Sequence, residues 1–122
     1  MSIDHLSIYV ENIEASKHFY LAALEPLGMK LITQNEQSVT FGKSRPEFKI
    51  IESGFRQQPL HIGFVANTHE AVDAFHSAAL SAGGTDNGKP GFRSVYHPAY
   101  YGAFVTDTNG YNIEAVCHKV MR

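Results

Sequence analysis

The sequence predicts an α+β fold of two tandem βαβββ modules, each with its helix packed on one face of its strands. Two observations predict it. A shift of 56 positions (61 − 5) lays the segment from His5 on the segment from His61 without a gap. Glu14 then meets Glu70, Phe19 meets Phe75, Ala22-Ala23-Leu24 meets Ala78-Ala79-Leu80, and Gly28 meets Gly84. Self-similarity at a fixed period makes each copy one structural unit. Within each copy, apolar residues alternate as in a strand, then recur near helical spacing, then alternate again. With 122 residues and 43% hydrophobic content, one domain spanning 1–122 is expected, with modules at about 3–53 and 59–118.

The elements follow in order. IDHLSIYV alternates as a strand, and a helix runs from about Asn12 to Leu27 with Ile13, Phe19, Ala23, Leu24 and Leu27 on one face, stopped by Gly28. MKLITQN, QSVTFGK and EFKIIES read as strands, with turns at Asn35-Glu36 and Lys43 to Pro46. SGFRQQP is a short polar connection, too brief for a flexible domain linker. The second copy opens with the strand PLHIGFVA and a helix over roughly Thr68 to Ala82, stopped by Gly83-Gly84. TDNGKPGFRSVYHPAYYG then reads as an irregular Gly/Pro-rich loop, and YYGAFVTD and YNIEAVCH form a hairpin around Thr108-Asn109-Gly110.

Composition excludes several classes. Ten Lys and Arg against twelve Asp and Glu give a net charge of −2 and no basic footprint for nucleic acid. No apolar run approaches the ~20 residues of a membrane span, and the opening MSIDHLSIYVENIEAS has no basic region followed by an apolar one. A cytoplasmic location is the expectation, which the single Cys117 fits. That residue lies in a strand-like run and is expected to be buried and inert.

Strand parity then places the chemistry. Alternate residues of a strand face opposite sides, and only one side packs beneath the helices. Leu6, Ile8 and Val10 share the apolar side, leaving His5 opposite; Leu60, Ile62, Phe64 and Ala66 leave His61 opposite; Tyr111, Ile113 and Ala115 leave Asn112 and Glu114 opposite. If the sheet curls, that opposite side is a polar cavity containing two repeat-equivalent histidines and a carboxylate.

DHLSIYV with its helix, LHIGFVA with its helix and AFVTDTNGYNIEAV resemble, over nearly the whole chain, the vicinal oxygen chelate superfamily of glyoxalase I, bleomycin-resistance proteins and extradiol dioxygenases. The resemblance implies that the modules form a cupped mixed sheet with helices on its outer face, around a divalent metal (iron, manganese, zinc or nickel) held by His5, His61 and Glu114. Two imidazoles and one carboxylate suit a first-row ion and leave coordination positions open for a chelating substrate. Lyase or isomerase chemistry on a molecule with vicinal oxygens is the first expectation, ahead of ring-cleaving dioxygenation. A non-catalytic binding or sequestration protein of the bleomycin-resistance type is the alternative.

A fourth oxygen ligand, which many glyoxalase I relatives carry on the last strand of the first module, is not evident. Aligning the hairpins sets Glu114 opposite Ile50 or Ile51, with Glu47 and Glu52 as nearby substitutes. In the loop, Arg93, Tyr96 and Tyr100 are candidate substrate contacts, His97 a candidate general base and Tyr101 a candidate hydrogen-bond donor to substrate, while Lys89 and the final Arg122 are the other cations considered for an anionic group. Each module exposes a face and an edge that need another module, so a homodimer is expected, with His5 joining His61 and Glu114 either within one chain or by module exchange.

Overall fold

A computed structural model describes residues 3–54 and 60–120. Positions 55–59 of the polar connection, including the expected strand start at Pro59, and Arg122 lie outside the described residues.

The first module runs β1 (Leu6–Val10), α1 (Ile13–Leu24), β2 (Lys30–Gln34), β3 (Ser38–Gly42) and β4 (Phe48–Glu52). Asn12 caps α1 by accepting from the Ala15 amide at 3.0 Å, and the Glu52 carboxylate accepts from the Ile13 amide at 2.9 Å, so the positive end of the helix is doubly satisfied. The helix ends before Leu27: Pro26 has no N–H to continue the ladder, and Glu25–Leu27 tighten into a 3-10 turn. Gly28 closes it at φ +84°, a left-handed conformation that a side chain disfavours.

The second module repeats the order as β5 (His61–Val65), α2 (His69–Ser81), β6 (Thr85–Phe92), β7 (Tyr101–Thr106) and β8 (Asn112–Cys117). Thr68 caps α2 through the Ala71 amide at 3.0 Å. The expected loop after α2 is half strand. β6 pairs with β7 through two register irregularities that absorb Gly88, Pro90 and Gly91, which is why no alternation marks it. The closing hairpin turns where expected, with Gly110 at φ +87° and its amide on the Asp107 carbonyl.

Each module is a four-stranded mixed sheet, in the orders β1-β4-β3-β2 and β5-β8-β7-β6, and in each the first strand pairs parallel to the last. One apolar core joins them. Phe19, Tyr20 and Leu24 from α1, Phe75 and Ala79 from α2, and Ile8, Phe41, Ile50 and Ile113 from the strands are essentially inaccessible. Burying each large side chain stabilises by roughly 1.5–3 kcal/mol. Polar bonds also cross the seam: Tyr20 donates to Asp107 at 2.5 Å, and Tyr111 donates to the Tyr9 carbonyl at 2.7 Å. Cys117 is buried, as expected. Among the described residues no helix is long and apolar enough to cross a membrane.

Candidate functional site

Register across β5, β8 and β7 assembles one row of side chains on the face away from the helices. Gly63 pairs with Glu114, and Glu114 with Phe104; one step along, His61 pairs with Asn112, and Asn112 with Thr106. Nε2 of His61 lies 2.8 Å from Oε1 of Glu114. The Tyr100 hydroxyl donates to Oε2. The carboxylate is 4% exposed and the imidazole 53%, so the acid forms the floor and the histidine the open wall. Burial first, and then the bond to Glu114, push the Tyr100 phenol well above the usual tyrosine range, which keeps it a donor.

Two glycines leave room for this arrangement. A Cβ at Gly63 would stand 3.5 Å from Oε1 of Glu114, and one at Gly102 would stand 3.4 Å from Oε2 and 3.2 Å from the Tyr100 ring. Phe104 continues the floor. Its ring centre is 5.9 Å from that of His61, and the Arg93 guanidinium carbon lies 5.5 Å above it. Arg93 donates to the Lys89 carbonyl at 2.7 Å, and among the described residues it has no carboxylate partner. Tyr96 packs on Tyr100 at 5.0 Å, and His118 meets Tyr100 at 5.3 Å. Arg93, Tyr96 and Tyr100 therefore gather beside Glu114. Phe104 and His118 join this group without having been expected there, although the hairpin turn fixes Phe104 opposite Glu114 and could have revealed it.

Other expected residues are placed elsewhere. Tyr101 faces α2: it pairs with Cys117, one parity step from Glu114, donates to Asp73 at 2.7 Å and stacks on His69 at 4.2 Å. That orientation corrects its expected role as a donor to substrate. His97 shapes the loop, its Nδ1 accepting from the Ala99 amide at 3.0 Å, and its ring neighbour is His118 at 6.3 Å. It is not brought to Glu114 by any hydrogen bond. Lys89 is exposed on β6, where its carbonyl serves Arg93.

His5 stands in the first module, exposed and 2.8 Å from Asp4. That contact, followed by Arg45, holds the Asp4 carboxyl below its usual range. His5 borders a groove of about 400 Å³ with Thr40, Glu47, Phe48 and Lys49. Glu47 accepts from the Lys43 amide at 3.0 Å and Glu52 from the α1 terminus, so both suggested substitutes for a fourth ligand are engaged elsewhere. The alignment with Ile50 or Ile51 is also corrected. Glu114 pairs with Gly63, the repeat partner of Ser7, and Ser7 pairs with Lys49.

The donor chemistry of His61 and Glu114 fits a divalent ion. A neutral imidazole nitrogen and a carboxylate oxygen 2.8 Å apart are both donors that a first-row divalent ion accepts. Two donors are short of the expected three. Among the described residues no three His, Cys, Asp or Glu side chains converge on one point.

The model of the glyoxalase/bleomycin resistance protein/dioxygenase superfamily matches residues 2–115. A glyoxalase/bleomycin resistance protein from Albidiferax ferrireducens is similar at 32% identity and TM-score 0.80, over 93% of this chain and 97% of that one. A glyoxalase/bleomycin resistance protein/dioxygenase family enzyme from Burkholderia phytofirmans shares the fold at 17% identity and TM-score 0.74, over 96% and 98% of the two chains. A glyoxalase-related enzyme from Fulvimarina pelagi shares it at 14% identity and TM-score 0.71, over 96% and 88%. No curated protein matches the chain. By paired βαβββ modules, an open face carrying His61 and Glu114, and a family match over nearly its whole length, the chain belongs to the glyoxalase/bleomycin resistance protein/dioxygenase superfamily.

Proposed function

We propose that the protein is a divalent-metal-dependent enzyme acting on a small molecule that presents two adjacent oxygens, with lyase or isomerase chemistry ahead of ring-cleaving dioxygenation. The observation that carries this reading is the buried Glu114 carboxylate, bonded by Tyr100 on one oxygen and by His61 on the other. His61 and Glu114 would hold the ion, with His5 as third ligand. Iron, manganese, zinc and nickel all accept this donor set. When bound, the ion supplies Lewis acidity and open positions for the substrate oxygens. The remaining work falls to the chain itself. Tyr100 fixes the orientation of Glu114, Phe104 provides an apolar floor, and Arg93 presents a cation to the substrate.

His5 lies in the other module, beside its own groove, so the reading takes it from a second copy by module exchange in a homodimer. The lone buried Cys117 suits a cytoplasmic setting. Elemental analysis of protein purified without chelator or metal-capturing tag tests the centre. Near-stoichiometric metal is expected, lost in His5→Ala, His61→Ala and Glu114→Ala. Mixing His5→Ala with Glu114→Ala subunits should restore about a quarter of the sites if modules exchange, through heterodimers with one intact site, and none if the site lies within one chain.

The contiguous rings of Tyr96, Tyr100 and His118 favour one other reading, a non-catalytic binding protein. In that case the protein takes up no metal, and His61→Ala leaves ligand affinity unchanged.

A further inference from the structure

Lys49 stands in the first module where Glu114 stands in the second. The repeat maps Ser7 onto Gly63, and the parallel pairings Ser7–Lys49 and Gly63–Glu114 carry the equivalence to the next strand. The antiparallel neighbours agree, since Thr40 pairs with Lys49 as Phe104 pairs with Glu114. Lys49 is half-buried between the core residues Phe48 and Ile50 and borders the same groove as His5. Among the described residues no carboxylate lies within ion-pair distance of it. Asp4 and Glu47 line that groove too, but Asp4 contacts His5 and Arg45, and Glu47 accepts from the Lys43 amide.

We propose that Lys49 is a substrate-anion contact of the active site, and that it selects a chelating substrate bearing at least one negative charge. The proposal rests on the reading that His5 joins His61 and Glu114. Because His5 and Lys49 share one groove, an arrangement that brings the imidazole to the ion brings the ammonium with it. An ammonium has three donors and no acceptor, so it cannot occupy a metal position and is directed instead to an oxygen of the bound molecule. The charges set the preference. The divalent ion and the cations of Lys49, Arg93 and Arg45 outweigh the carboxylates of Glu114, Asp4 and Glu47, which leaves a positive excess at the substrate position. An α-hydroxy or α-keto carboxylate offsets that excess, whereas a neutral chelator does not.

The test uses manganese alone and then oxalate, a dianion with vicinal oxygens, on the manganese-loaded protein. Free manganese is followed by electron paramagnetic resonance and oxalate binding by calorimetry. In Lys49→Gln, manganese affinity is expected within about threefold of the parent, while oxalate affinity falls about tenfold or more. Lys49→Arg should restore most of the oxalate affinity. Lys49→Glu should bind manganese more tightly and oxalate barely at all. Unchanged oxalate affinity in Lys49→Gln overturns the assignment of Lys49 and leaves the metal centre standing. Loss of manganese from Lys49→Gln also overturns the assignment, because it makes the residue part of the metal site or its scaffold. Failure of the parent itself to bind manganese overturns the metal centre and this inference together.

Discussion

Tyr100 and Glu114 are joined at the carboxylate oxygen that His61 leaves open: the phenol donates to Oε2, while Nε2 of His61 stands 2.8 Å from Oε1. The loop residue thereby orients a strand residue that is otherwise buried. Groups that orient a metal ligand typically contribute about ten- to a hundredfold in affinity. Tyr100→Phe should weaken manganese binding by about tenfold or more while the far-ultraviolet circular dichroism stays parental. Equal affinities in a titration of the two proteins would show that His61 and the strand alone hold Glu114 in place.

Gly63 and Gly102 flank the same carboxylate but leave different clearances, so the same substitution should act differently at each. A methyl at position 63 would meet Glu114 at ordinary contact distance, 3.5 Å. At position 102 it would lie 3.2 Å from the Tyr100 ring and 3.3 Å from the Ala115 carbonyl, so ring and backbone must give by a few tenths of an ångström. Gly63→Ala should therefore be neutral or slightly stabilising. Gly102→Ala should cost about 1–3 kcal/mol and disturb Tyr100. Urea denaturation of the two variants checks the difference, and equal midpoints would contradict it.

The sequence carried the local part of this architecture and little of its assembly. Period-two alternation placed His61 and Glu114 on one face because the other face of their strands is apolar, Ile62 and Phe64 packing on the core and Ile113 and Ala115 lying within it. The Asn-Gly turn marked the last hairpin because Gly110 must take a positive φ. β6 escaped because Gly88, Pro90 and Gly91 carry no alternation and are accommodated by shifts against β7. Tyr101 was misplaced although the hairpin settles its parity: counting outward from the turn pairs Phe104 with Glu114 and turns Tyr101 toward α2. Lys49 was out of reach for a different reason. The β1–β4 pairing is parallel, and no local turn fixes such a register, which depends on packing of the whole module. The place proposed for His5 is more distant still, since under that proposal it would depend on how a second copy docks.

Tyr20 tests the seam between modules. Its hydroxyl donates at 2.5 Å to Asp107, which also accepts from the Asn109 and Tyr111 amides. Tyr20→Phe removes the link from α1 and should cost about 1–3 kcal/mol at neutral pH. Burial, and then the Asp107 carboxylate, raise the phenol well above its ordinary value. The unfolded phenol ionises near pH 10. Above that pH the unfolded state releases a proton that the folded state retains, so stability is complete below about pH 10 and falls as the pH rises further. Unfolding of parent and variant between pH 9 and 11 should give a shallower alkaline decline for Tyr20→Phe, and identical slopes would mean that Tyr20 ionises freely in the fold.

His76 and Asp86 form a contact that bears on stability at the opposite, acid end. Nε2 of the buried His76 on α2 lies 2.8 Å from Oδ1 of Asp86 at the start of β6, and that same oxygen accepts from the Gly88 amide at 3.0 Å. The His76 bond, followed by the Gly88 amide, lowers the Asp86 carboxyl from its ordinary range. A depressed carboxyl keeps its charge in the fold after the unfolded chain has taken up a proton, so its contribution is present above about pH 4 and is lost on further acidification. Asp86→Asn should lower stability at neutral pH and flatten the decline below about pH 4. Because Asp86 ties α2 to the irregular start of β6, hydrogen exchange should also quicken at the Gly88 amide and leave the β7–β8 hairpin unchanged. If parent and variant lost stability equally steeply on acidification, carboxylates other than Asp86 would have to govern the acid limit.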